Sequence, residues 1–91
     1  MAVIDTVAKE LHINPKQLLK ESLKVYLEKR LSKVESDIFL ITKKYGVKDV
    51  FEFDSKVKAG FVSEHEAYED YFIFDNLETE REKIKKMLKR L

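Results

Sequence analysis

Two glycines and one proline are all that 91 residues offer in the way of strong helix breakers, and their positions divide the chain before any apolar pattern is considered. Pro15 cannot donate within a helix, and Gly46 and Gly60 accept a left-handed turn at little steric cost. A sheet of short strands needs many turns, and this chain has few residues to make them. Long helices are therefore favoured over sheet.

Val3, Val7 and Leu11 recur every four residues and predict a short helix over Val3–Leu11, within a first unit of residues 1–13. Asn14 then offers a side-chain oxygen as N-cap, and Pro15 stands at the first helical position. Nothing interrupts the next helix until Gly46, so residues 14–46 form a rod of about 45 Å. Asp49 caps a short third helix, Val50–Lys58, inside the unit 49–60, which Gly60 ends. Alternation over Val50–Phe53 also admits a strand, but the cap and the terminal glycine favour the helix. Ser63 and Glu66 have the spacing of a capping box at the start of a last unit, 63–91, helical from Glu64 nearly to Leu91. Its final turns carry Arg81, Lys83, Lys85, Lys86, Lys89 and Arg90, the sign a helix C-terminus prefers. The expected fold is all-α and single-domain: a long antiparallel helical hairpin with short N-terminal and connecting helices, joined into a dimer.

The dimer expectation comes from the apolar pattern. Leu19, Leu23, Leu27, Val34, Ile38, Ile41 and Tyr45 lie three, four or seven apart and make one stripe along the long helix. A stripe of that length needs another long helix, and Leu19, Leu23, Leu27, Val34 and Ile38 are the dimerisation candidates. Leu18, Val25, Tyr26, Leu31, Phe39 and Leu40 lie off it, more than one antiparallel neighbour would cover. A second subunit or a different protein would cover the remainder.

Charged residues make up 38% of the chain, dominated by Lys and Glu, while Gln and Asn are nearly absent. That bias is the one heat-adapted proteins show and predicts a thermophilic source. Cysteine is absent, which excludes disulfides and thiolate chemistry. No apolar run approaches the roughly 18 residues needed to span a bilayer, and no secretory pattern opens the chain, so a cytoplasmic protein is expected. The net charge of +1 conceals three zones. Residues 1–34 hold seven basic and four acidic groups, residues 35–80 five and twelve, residues 81–91 six and one. No Lys or Arg occurs from Ala59 to Glu80. Such segregation implies a polar assembly or an oppositely charged partner, or else basic and acidic ends that fold back and pair with each other.

Candidate chemistry is sparse. His65 and Glu69, four apart beside Glu66 and Asp70, have a spacing that chelates a divalent cation, but a transition-metal site needs further ligands. Helix-start electrostatics account for these acids more simply, and His12 suits a helix C-terminus. No glycine-rich loop and no Ser–His pairing suggests catalysis, so no enzyme, metal or cofactor is expected. The basic N-terminal third and the tail REKIKKMLKR would contact nucleic-acid phosphates only weakly and without reading sequence.

The most distinctive stretch of the second half is FVSEHEAYEDYFIFDNL, residues 61–77. Its aromatics supply contact area at low entropic cost, and its acids suit a basic surface. Phe61, Tyr68, Asp70, Tyr71, Phe74 and Asp75 are the partner-binding candidates. Tyr68, Tyr71 and Phe72 also have the spacing of a core stripe, whereas Phe74 lies off that stripe and is read as an interface residue.

Residues 6–30, TVAKELHINPKQLLKESLKVYLEKR, form a helix, an Asn-Pro turn and a second helix. This pattern resembles the helical part of the ribbon-helix-helix proteins used by many small prokaryotic antitoxins. Met1-Ala2-Val3-Ile4 at the start leave no room for the base-reading β-ribbon, which is expected to have no counterpart. The resemblance implies a toxin–antitoxin function in which helices dimerise and the C-terminal part wraps a small toxin, plausibly a ribonuclease. A structural hairpin oligomer without a toxin, and a weak DNA-binding regulator, are the competing expectations.

Overall fold

The computed structural model describes residues 2–91. Among the described residues all four elements are helices, in the order α1 (Ala2–Leu11), α2 (Pro15–Tyr45), α3 (Val50–Lys58) and α4 (Glu64–Lys89). The strand alternative for Val50–Phe53 is not realised.

Three helix ends share one closure. In each, a residue in the left-handed region follows the helix, and the next amide reaches back five residues. His12, Gly46 and Gly60 take the left-handed position, with φ of 58°, 64° and 82°. Ile13, Val47 and Phe61 then donate to the carbonyls of Ala8, Thr42 and Lys56 at 2.9, 3.0 and 3.0 Å. Starts are also capped: the Asn14 side chain accepts from the Lys16 amide at 2.8 Å, and Asp49 from the Glu52 amide at 2.8 Å. The expected capping box does not form, and only the ordinary helical bond from the Ala67 amide to the Ser63 carbonyl is made. Ser63 stands at the N-cap of α4 but its hydroxyl takes no capping bond, leaving Glu64 and Glu66 to complement the helix terminus.

Helix α4 runs back along α2 to form the hairpin, with α3 as the crosspiece and α1 folded on the start of α2. One core cluster joins Val34 and Ile38 of α2 to Val50, Phe74 and Ile84, with Leu27, Leu31, Ile41, Leu77 and Leu88 packed around it. A second cluster at the closed end holds Val47, Phe53 and Ala67, flanked by Tyr45, Val57 and Tyr71. Phe53 joins the two: its ring lies 4.5 Å from Tyr45, 6.0 Å from Tyr71 and 6.1 Å from Phe74. Lys56 anchors the crosspiece by donating to the carbonyls of Tyr45 and Gly46 at 3.1 and 3.2 Å, satisfying acceptors at the end of α2.

The stripe on α2 therefore divides. Val34 and Ile38, expected in a dimer seam, are buried inside the hairpin instead. Leu27 is half-buried there. Leu19 and Leu23 remain 42% and 44% exposed because α4 is shorter than α2 and its last turns meet α2 near Tyr26 and Leu27. The first turns of α2 thus project as an arm, covered on one side by α1, whose Ala8 is buried while Val3, Val7 and Leu11 face outward.

The result is a rod of 60 × 20 × 18 Å with a radius of gyration of 19.0 Å. A compact chain of this length would have about 12 Å. Its accessible surface of 7235 Å² exceeds by roughly 1,700 Å² that of a typical monomer of its mass. Among the described residues, no helix is long and apolar enough to cross a membrane.

Candidate functional site: an acidic-aromatic face on the closed end

The inner stripe of α4 starts at Ala67, where a small side chain lets the helix approach Phe53 closely. From there Tyr71 and Phe74 continue inward at spacings of four and three. Phe74 is 0% exposed and belongs to the core; its assignment as an interface residue is corrected. The large aromatics Tyr68 and Phe72 suggest a stripe one position out of register, because an alanine carries little apolar signal. Their actual place is outside: Tyr68 is 67% exposed and Phe72 51%. These two rings pack edge to face at 5.1 Å, and Phe72 meets Tyr71 edge to face at 5.9 Å.

Of the other expected partner-binding residues, Phe61 is 82% exposed, at the exit of α3. Asp75 is exposed on a different edge, beside Val50, Phe51 and Glu78. Tyr71 is half-buried and stacked on Phe53, so it offers an edge rather than a whole ring. Asp70 is not a free acid: it accepts from Lys44 Nζ at 2.7 Å and from the Tyr45 hydroxyl. Its role as a partner contact is corrected to that of a tie between α2 and α4. Hydrogen bonding from Lys44, then from Tyr45, holds the Asp70 carboxyl below the usual range, while burial and the Asp70 bond raise the Tyr45 phenol.

Tyr68, Tyr71 and Phe72 converge on one face, away from Phe61 and Asp75. Between the last turns of α3 and the first turns of α4 opens a cleft of about 310 Å³. Ala67 and Val57 form its floor, Tyr68, Tyr71 and Phe72 its aromatic wall, and Asp54 and Glu64 its acidic rim. His65 and Glu69 stand on the neighbouring outer edge with Glu64 and Tyr68. Among the described residues, no group of three His, Cys, Asp or Glu side chains lies close enough to share a metal ion. Phe72, Asp54 and Glu64 were not among the sequence candidates. The four-residue series Glu64, Tyr68, Phe72, beside a helix start free of cations, is the signal that marks Phe72 and Glu64, and Asp54 on α3 has no such signal.

The opposite end is basic. Because α4 runs antiparallel to α2, the 81–91 segment lies beside the basic first half of α2 rather than the acidic zone. Fold-back pairing of basic with acidic zones, one of the two alternatives, is represented between α2 and α4 by Arg30–Glu80. Two ion pairs tie α2 to α4, Arg30–Glu80 and Lys44–Asp70, among the described residues. Charge is consequently polarised along the rod, with arm and α4 C-terminus positive and the aromatic face negative.

Among curated proteins and among solved structures, nothing matches the chain. One family model matches it from end to end, over residues 1–91. The chain belongs to the family described as Uncharacterized protein MJ0235.

Proposed function

We propose that this protein is an antitoxin-like binding module that docks a small basic protein on its acidic-aromatic face and blocks that partner's working surface. A single observation carries the reading. Tyr68 and Phe72 are held outside the core on a rigid helix, flanked by Glu64, His65 and Glu69. Exposed aromatics ringed by like charge are an expensive arrangement unless a partner covers them, and aromatic residues dominate interface energetics. A basic partner, such as a small ribonuclease whose substrate is a polyanion, complements the face in both charge and apolar area. The helix–Asn-Pro–helix pattern of residues 6–30 supports the same reading by its resemblance to antitoxin helices. Binding, not catalysis, is the activity proposed, and the cytoplasm is its proposed location.

Self-association is proposed through the arm. Val3, Val7 and Leu11 of α1 and Leu19 and Leu23 of α2 are apolar side chains left exposed there. The excess surface of one chain is about twice the roughly 800 Å² that each partner buries in a standard protein–protein interface. The same exposed arm favours a second reading, a structural oligomer with no toxin. Weak contact of the arm lysines with nucleic-acid phosphates is a third and lesser role.

Native capture from lysate, followed by mass spectrometry and assay of the captured protein, separates these. The proposal expects one stoichiometric small basic protein whose activity falls on binding, and loss of capture by Tyr68→Ala/Phe72→Ala. Equal capture by that double variant, or recovery of the protein only as a homo-oligomer, would count against it.

A further inference from the structure

The cleft at the foot of the aromatic face has features that specify more than general stickiness. Its floor does not move easily: Ala67 is buried against the Phe53 cluster, and Val57 packs on the same cluster. Tyr71 is fixed by stacking on Phe53 at 6.0 Å and 19°. Phe72 stands nearly perpendicular to Tyr71, at 86°, and Tyr68 is turned 75° from Phe72. Successive near-right angles present ring faces and edges in turn, the arrangement of an aromatic cage. Asp54 and Glu64 place two carboxylates at the mouth. The volume, about 310 Å³, is at the small end of ligand-sized pockets and suits one inserted side chain better than a whole helix.

One cation already samples this rim. The Lys58 ammonium sits 2.9 Å from Asp54, although its side chain is 76% exposed. Asp54 raises the Lys58 pKa, with a smaller contribution from Tyr71. Beyond Lys58 no Lys or Arg follows until Arg81, so the α4 side of the cleft carries nothing that repels a second cation. An ammonium on a flexible stem is the weaker occupant. A planar guanidinium stacks on a ring while its donors engage carboxylates in a fork.

The geometry points to this cleft as the anchor site for one arginine side chain of a basic partner. Its guanidinium stacks on the Tyr68 ring, with Phe72 walling its side at 75°, and pairs with Glu64 and Asp54, and Lys58 swings out to solvent. The inference deepens the docking proposal and rests on it for the source of the arginine, while the chemistry of the cleft stands independently.

The test titrates the full-length protein with Nα-acetyl-arginine methylamide and, separately, with the uncharged norleucine counterpart, following aromatic ¹H–¹³C signals by NMR. Saturable shifts of Tyr68, Tyr71 and Phe72 are expected with the arginine compound at millimolar concentrations. The norleucine compound should bind about tenfold more weakly. Glu64→Gln should weaken arginine binding several-fold, and Lys58→Ala, which removes the resident competitor, should tighten it. Unsaturable shifts, equal binding of the norleucine compound, or weaker binding by Lys58→Ala would overturn the inference. If the probe fails while a captured basic protein still loses affinity for Tyr68→Ala/Phe72→Ala, the anchor falls and the docking face stands. Arginine binding with no protein captured supports the anchor and overturns the docking proposal alone.

Discussion

Phe74 and Phe72 are two positions apart on one helix and have opposite roles. Phe74 is enclosed by the main core cluster and reaches Phe53, while Phe72 is half in solvent. Phe74→Ala is therefore expected to destabilise by about 3–5 kcal/mol, from lost transfer energy and the cavity left behind. Phe72→Ala should stay within about 1 kcal/mol, and thermal melts of the two variants decide the matter. Two carboxyls give opposite pH signatures. Lys44 and Tyr45 depress the Asp70 pKa, so this tie stabilises the fold above the ordinary carboxylate value and is lost as pH falls through the folded one. Burial, then the charges of Asp49 and Asp75, push Glu78 up against the pull of Arg81. Glu78 thus favours folding when protonated, and its contribution fades as pH rises through its folded pKa. Asp70→Asn should lower stability at pH 7 by about 1 kcal/mol, and the deficit should close in acid as Asp70 itself protonates. Glu78→Gln should raise the melting temperature at pH 7 and make no difference in acid.

At the scale of elements, helix ends were legible because they depend on local chemistry. Asn14-Pro15, Asp49, Gly46 and Gly60 each satisfy or release backbone groups within a few residues. The α1 terminus was read only in part, since His12 fills a left-handed position that usually takes glycine or asparagine. His12→Gly is expected to leave stability unchanged or raise it by up to about 1 kcal/mol, strain relief being offset by backbone entropy. Gly46→Ala, at φ 64°, should lower stability by about 1 kcal/mol, since no L side chain sits easily there. Chemical denaturation of both variants gives the comparison. The register of α4 against α3 was not legible. It turns on Ala67, whose value lies in how close it lets α4 come to Phe53, and no count of large apolar residues reveals that.

For the whole molecule, the charge zones were visible in the chain, but their placement was not. The antiparallel hairpin puts the basic tail beside the basic half of α2 and leaves the acidic-aromatic face alone at the other end. Which part of the stripe stays uncovered depends on where α4 stops against α2, a tertiary fact that periodicity does not contain. Leu23 consequently has a different role from Ile38. Leu23→Asp should leave helicity nearly intact and abolish the proposed self-association in sedimentation velocity, whereas Ile38→Asp should unfold the hairpin by burying an unpaired charge.

The central claim is that the face around Tyr68 and Phe72 is where a basic protein docks. Hydroxyl-radical footprinting of the captured complex against the free protein tests it residue by residue. Strong protection of Tyr68 and Phe72, with Val25 and Phe39 as reactive as before, is the outcome this account predicts. Unchanged reactivity of Tyr68 and Phe72, with protection confined to Val25, Phe39 or Leu40 on the long helix, would contradict it.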